Sequence, residues 1–160
     1  MEVFLISHAS YADLQGEGGV YNKGRWHNKG HRIVYTNSSR SLSMLERYIH
    51  EDGQAPCPRL IMMAIHIPDK LEMETITTHQ LTESWFSYDD ISQDLTRKLG
   101  EDWLLKQRTA VLKVPSAIVP QEFNYLINPM ARDAADIKII DIREYHYEDR
   151  YKGLLTTRTP

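Results

Sequence analysis

Gly16-Glu17-Gly18-Gly19, Lys23-Gly24-Arg25-Trp26-His27-Asn28, Arg32-Ile33-Val34-Tyr35-Thr36 and Leu42-Ser43-Met44-Leu45-Glu46 follow one another within residues 16–46. The order reads as a glycine-rich loop carrying an arginine, a strand carrying a tyrosine and a helix carrying a glutamate. Arg32 to Thr36 is β-branched and aromatic, as strands are. Asn37-Ser38-Ser39 offers side-chain oxygens suited to capping a helix. Leu42, Leu45 and Ile49 then recur at helical spacing. That helix is predicted to end near Asp52-Gly53, before the breaker Pro56-Cys57-Pro58.

Outward from this stretch, Val3 to Ser7 reads as a first strand. Leu60 to Ile67 reads as another, closed by Pro68. A second helix is predicted over Ile91 to Gln107, interrupted at Gly100. Thr109 to Val114 and Ile137 to Tyr145 complete the strands. Strands and helices mix without a βαβ rhythm, which favours α+β over a doubly wound sheet. No repeat or linker divides the 160 residues, so one domain over 1–160 is expected.

Hydrophobic residues make up 41% of the chain and charged residues 26%, the balance of an ordinary globular protein. A net charge of −3 and the lack of a basic stripe argue against direct nucleic-acid binding. A single cysteine, Cys57, allows no internal disulfide, which suits a reducing cytoplasm. Met1 to His8 has no basic n-region or cleavage site, so no signal peptide is expected. No apolar run reaches the roughly 20 residues of a membrane span, so no membrane association is expected either.

Four residues stand out for chemistry, each with a plainer alternative. Arg25 offers a rigid fork for phosphate or carboxylate, or else a surface salt bridge. Trp26 beside it is a stacking surface or a packing anchor. Tyr35 either packs in the core or lays its ring against a flat heterocycle. Glu46 sits at the edge of the apolar stripe, where a carboxylate is partly desolvated and needs a partner. It either pairs at the helix flank, alongside Arg47, or faces a cleft. Ser116 falls just past a buried strand, and Asn124 and Asn128 follow near prolines, where such residues usually make turns. No Walker loop, Rossmann turn, HExxH or nucleophile elbow is present, and a metal site is not expected.

These segments resemble the RES-domain family, named for arginine, glutamate and serine. Its pattern runs G-E-G-A, G-G-R-W-N, V-Y-T, L-A-L-L-E, G-D-x-W-L, V-P-S and N-Y-L-I-N-P. Here it reads Gly16-Glu17-Gly18-Gly19, Lys23-Gly24-Arg25-Trp26-His27, Val34-Tyr35-Thr36, Leu42-Ser43-Met44-Leu45-Glu46, Gly100-Glu101-Asp102-Trp103-Leu104, Val114-Pro115-Ser116 and Asn124-Tyr125-Leu126-Ile127-Asn128-Pro129. The resemblance covers nearly the whole chain in order and spacing.

The resemblance implies an ADP-ribosyltransferase-like fold, with mixed or antiparallel sheets flanked by helices. It implies a toxin that consumes NAD by hydrolysis or phosphorolysis, or that ADP-ribosylates a protein. The implied partners are an Xre-type helix-turn-helix antitoxin and a second copy in a homodimer. It assigns catalysis to Glu46, Arg25 and Tyr35. Substrate binding falls to Arg25, Trp26, Tyr35, Ser116 and Asn128. Leu5 departs from the pattern, because most relatives carry an arginine in the first strand. That departure raises the alternative of an attenuated or non-catalytic binding module. His27 replaces the usual asparagine.

Overall fold

β1 (Glu2–His8) alternates so that both of its faces are apolar, the pattern of a strand covered on both sides. It pairs along its whole length with β3 (Leu60–His66), and by a single register pair, Phe4 with Asn37, with β2 (Val34–Asn37). β2 pairs in turn with β6 (Phe123–Ile127), and β6 with β5 (Val111–Pro115). β4 (Met73–Thr75) and β7 (Lys138–Tyr145) close the edges. The order is β4-β5-β6-β2-β1-β3-β7, antiparallel throughout except where β4 meets β5. Among the described residues, three α-helices accompany this sheet: α1 (Gly18–Tyr21), α2 (Arg40–His50) and α3 (Asp90–Lys106). The fold is α+β. This computed structural model describes residues 1–50 and 59–148. The expected end of α2 near Asp52-Gly53 and the breaker at Pro56-Cys57-Pro58 lie outside the described residues. Among the described residues, no helix is long and apolar enough to cross a membrane.

Register assigns the two faces of the sheet. Tyr35 and Asn37 share a side with Leu126 and Asn124, and hence with Leu112 and Val114. On this side α3 brings Trp103 and Leu104 into an apolar cluster with Trp26, Ile33 and Trp85. On the other side Val3, Val34, Met63, Val111 and Ile127 form a second cluster, against which Leu5 packs.

Two strands depart from the sequence reading. β4 is only three residues long and carries no periodic signal. β6 is central, yet its Asn124 and the nearby prolines read as a turn. It is a strand because Phe123-Asn124-Tyr125-Leu126-Ile127 is mostly aromatic and aliphatic and is paired on both sides, by β2 and β5. α2 also differs from expectation. Leu42 and Ser43 are buried, while Ile49 is exposed. Ser43 is accepted on the inner face because its hydroxyl takes the backbone N–H of Ile6 at 3.0 Å. Ser39 caps the helix, accepting from the Leu42 N–H at 3.1 Å.

α3 runs unbroken through Gly100, against the expected interruption. A Cβ at Gly100 would stand 1.9 Å from the carbonyl oxygen of Trp26. The glycine is there so that the 22–28 loop can lie directly on the helix backbone. A second lock holds the same loop to β2. His27 Nε2 lies 3.0 Å from the Asn22 carbonyl, which can only accept, so Nε2 carries the hydrogen and Nδ1 accepts. The Tyr35 hydroxyl, 2.9 Å from Nδ1, therefore donates to it and accepts the Trp26 N–H at 3.2 Å. Gly24 makes room, because a Cβ there would lie 2.6 Å from the Tyr35 oxygen. Burial holds the His27 imidazole below its ordinary pKa, opposed mainly by the Asn22 carbonyl, and burial raises the Tyr35 phenol.

Alanine ordinarily stabilises a helix relative to glycine by about 1 kcal/mol. Gly100→Ala is expected to do the reverse, costing about 1–3 kcal/mol by overpacking, as read by urea denaturation. A second expectation follows from His27. The unfolded chain takes up its proton near pH 6.5, while the folded chain resists. Stability is therefore present above that pH and lost as pH falls through the depressed folded value. Melting temperature should drop between pH ~7.5 and ~5.5, and His27→Gln should flatten that slope.

Candidate active site

Glu46 faces inward from the second turn of α2, with 18% of its side chain exposed. Oε1 accepts two hydrogen bonds: from Asn124 Nδ2 at 2.8 Å and from Ser116 Oγ at 3.1 Å. These partners come from β6 and from the turn after β5, so the carboxylate ties α2 to both neighbouring strands. Among the described residues, Oε2 has only a 3.9 Å approach from His50, whose imidazole is mostly exposed.

The Ser116 hydroxyl is directed by its surroundings. Its oxygen accepts the backbone N–H groups of Ile118 and Val119, each at 3.1 Å. With its lone pairs so occupied, its one hydrogen is left for Glu46. Ser116 is fully buried, and these bonds account for all of its hydrogen-bonding capacity. Asn124 is also buried, and its Oδ1 accepts from Asn37 Nδ2 at 2.9 Å.

Arg25 brings positive charge to the same region. Its guanidinium donates to three backbone carbonyls, those of Trp85, Phe86 and Ser87. It also lies 5.9 Å from the centroid of the Trp85 ring. Burial lowers its pKa, opposed first by the charge of Glu46 and then by Tyr35 and Tyr88. An arginine stays protonated under such a shift, so Glu46 sits within the field of a fixed cation. The Tyr35 ring joins the cluster built on Trp26 and Trp103, and its hydroxyl feels both Arg25 and Glu46.

Hydrogen bonds join Glu46, Ser116, Asn124 and Asn37, while Arg25 and Tyr35 are linked to Glu46 through its charge. Other expected residues lie elsewhere. Trp26 is 1% exposed and packs against Trp85 with ring centroids 6.4 Å apart. Its faces are used in the core. Asn128 lies at the far end of β6, where its amide donates to the Leu104 carbonyl and accepts from the Met130 N–H, each at 3.0 Å. It lines a separate recess of about 320 Å³ beside His31, Arg32 and Leu105. A second recess, of about 470 Å³, lies between α2 and β7 at Arg40, Met44 and Arg143. Neither recess is lined by Glu46. Leu5 follows Phe4, which is in register with Asn37, so its side chain points to the sheet face away from the Glu46 clamp.

Sequence reading passed over Asn124 in favour of Asn128, and gave Asn37 only a capping role. The facing of Asn37 and Asn124 is a matter of register between strands far apart in the chain. The 85–87 carbonyls that hold Arg25 carry no side-chain signature at all.

This arrangement gives a carboxylate with one oxygen immobilised, the other less engaged, a cation whose charge it feels, and partial exposure to solvent. Such a group can stabilise a developing positive charge and accept hydrogen bonds from a diol.

The RES domain family model matches residues 2–148. The Prs ADP-ribosylating toxin of Sphingobium sp. (strain YBL2) is 38% identical over 141 residues, covering 86% of each chain. The Toxin Res of Pseudomonas putida (strain KT2440) is 35% identical over 133 residues, 82% of this chain and 88% of that one. Among solved structures, the M. tuberculosis MbcT-MbcA toxin-antitoxin complex holds a chain of the same fold. The TM-score is 0.75 at 17% identity, over 98% of this chain and 89% of that one. The chain belongs to the RES-domain family.

Proposed function

We propose that this protein is the toxin of a toxin–antitoxin pair and acts by cleaving the nicotinamide–ribose bond of NAD. The observation that carries the reading is the Glu46 carboxylate, fixed through Oε1 by Ser116 and Asn124 and left with Oε2 less engaged. Cleavage breaks the bond between the ribose anomeric carbon and the pyridinium nitrogen. The electron pair leaves with nicotinamide, which departs neutral, and the ribose becomes an oxocarbenium-like cation. A carboxylate held in advance at that position lowers the barrier, because it need not reorganise as the charge forms. Its less engaged oxygen would accept from the ribose hydroxyls. Arg25 supplies a cation for the pyrophosphate, although three of its donors already serve the 85–87 carbonyls. Tyr35 holds the arginine loop in place, since its one hydroxyl hydrogen goes to His27.

The acceptor that completes the reaction is water in hydrolysis or phosphate in phosphorolysis. A second reading, transfer of ADP-ribose to a protein, is favoured by the name of the 38% identical Sphingobium relative. An antitoxin partner is supported by the toxin–antitoxin complex that shares the fold. By the family resemblance that partner is of the Xre type, and the toxin is a homodimer.

Purified protein incubated with NAD should release nicotinamide, and Glu46→Gln should slow release on the order of 10²–10³-fold. Runs with and without phosphate separate phosphorolysis from hydrolysis. Labelled NAD in cell lysate separates both from transfer, which leaves a labelled protein band. Unchanged NAD in all of these runs ends the reading.

A further inference from the structure

Glu46 Oε1 depends on Asn124 presenting nitrogen and not oxygen. A side-chain amide can rotate by half a turn at little steric cost, and the flipped form would set oxygen against oxygen. The carboxylate can only accept, so the Asn124 atom 2.8 Å away is Nδ2. Its Oδ1 then points back along the sheet, where a donor is needed. Asn37 Nδ2 meets it at 2.9 Å, from the position directly opposite in the β2–β6 register. Both asparagines are buried, 5% and 8% exposed, so water has little access to replace the bond. The hydrogens run one way: Asn37 to Asn124 to Glu46.

We propose that Asn37 is a positioning residue of the active site, fixing the amide orientation of Asn124 and through it the carboxylate of Glu46. This rests on the NAD-cleaving reading of Glu46, but the Asn37–Asn124 bond can be examined without catalysis. Asn37 reaches Glu46 only through Asn124, so its contribution should vanish when Asn124 is absent.

The test uses Asn37→Ala and Asn37→Asp in the full chain. Aspartate has nearly the same shape but only accepts. It would draw Asn124 Nδ2 to itself and turn Oδ1 toward Glu46. The first readout is the Asn124 side-chain amide pair in ¹⁵N NMR, assigned by its disappearance in Asn124→Ala. In the parent it should be protected from solvent exchange. It should lose protection in Asn37→Ala, and an unchanged amide pair in both variants overturns the proposal. The second readout is nicotinamide release. Asn37→Ala should lower kcat about tenfold, as expected for one lost orienting hydrogen bond, with Asn37→Asp lower still. In an Asn124→Ala background, Asn37→Ala should cause no further loss. Additive losses would mean that Asn37 acts on packing, and would overturn the proposal. If Asn37→Asp fails to fold, the alanine variants decide alone. A parent that releases no nicotinamide sinks the function proposed above, while the amide signal still decides the role of Asn37.

Discussion

A carboxylate turned inward from a helix has to be met by donors, and in this molecule they come from one strand, β6, and from the turn that follows another, β5. Ser116 and Asn124 both end on one oxygen of Glu46. Left without them, the charge would bear an unsatisfied desolvation cost of several kcal/mol. The docking of α2 against the sheet and the preparation of the site are therefore the same structural event. Each partner is in turn satisfied from behind, Ser116 by two backbone N–H groups and Asn124 by Asn37. A polar group held on every side keeps its orientation without help from substrate, which is the condition for electrostatic catalysis.

The arginine loop obeys a different constraint, that of close approach. It lies on the backbone of α3 at Gly100 and on the hydroxyl of Tyr35 at Gly24, with no room for a Cβ at either point. Trp26 fills the space between sheet and helix and anchors the loop as core. Arg25, one residue earlier, is thereby carried to the 85–87 carbonyls and into the field of Glu46. The family's tryptophan acts here through position. It makes the loop rigid and leaves the charge work to its neighbour. The same economy explains His27, whose imidazole spans Asn22 and Tyr35 as one neutral tautomer.

Leu5 is the most visible departure from the family pattern. Its side chain packs with Val3 and Met63 on the far face of the sheet, across from the polar row of Asn37 and Asn124. An apolar residue suits that environment, and the hydrogen bonds of the Glu46 clamp are complete without a charge from β1.

Local pattern carried much of the fold. β1, β3, β5, β7 and both long helices follow from alternation, helical spacing and capping residues, because these report on neighbours within one or two turns of chain. The same logic put Glu46 at the inner edge of α2, since a helix face is set by its own periodicity. It missed β6, whose Phe123-Asn124-Tyr125-Leu126-Ile127 is strand-like in composition but is masked by the flanking prolines and asparagines, and whose central place is set by pairing with β2 and β5. Nor could it choose Asn124 over Asn128, which differ in surroundings and not in chemistry. Gly100 looked like a break and proved to be a contact, because what it accommodates lies more than seventy residues earlier in the chain. Residue types and local periods were properties of the chain alone. Which polar groups meet was decided by strand register and helix docking, which bring together residues that local sequence keeps apart.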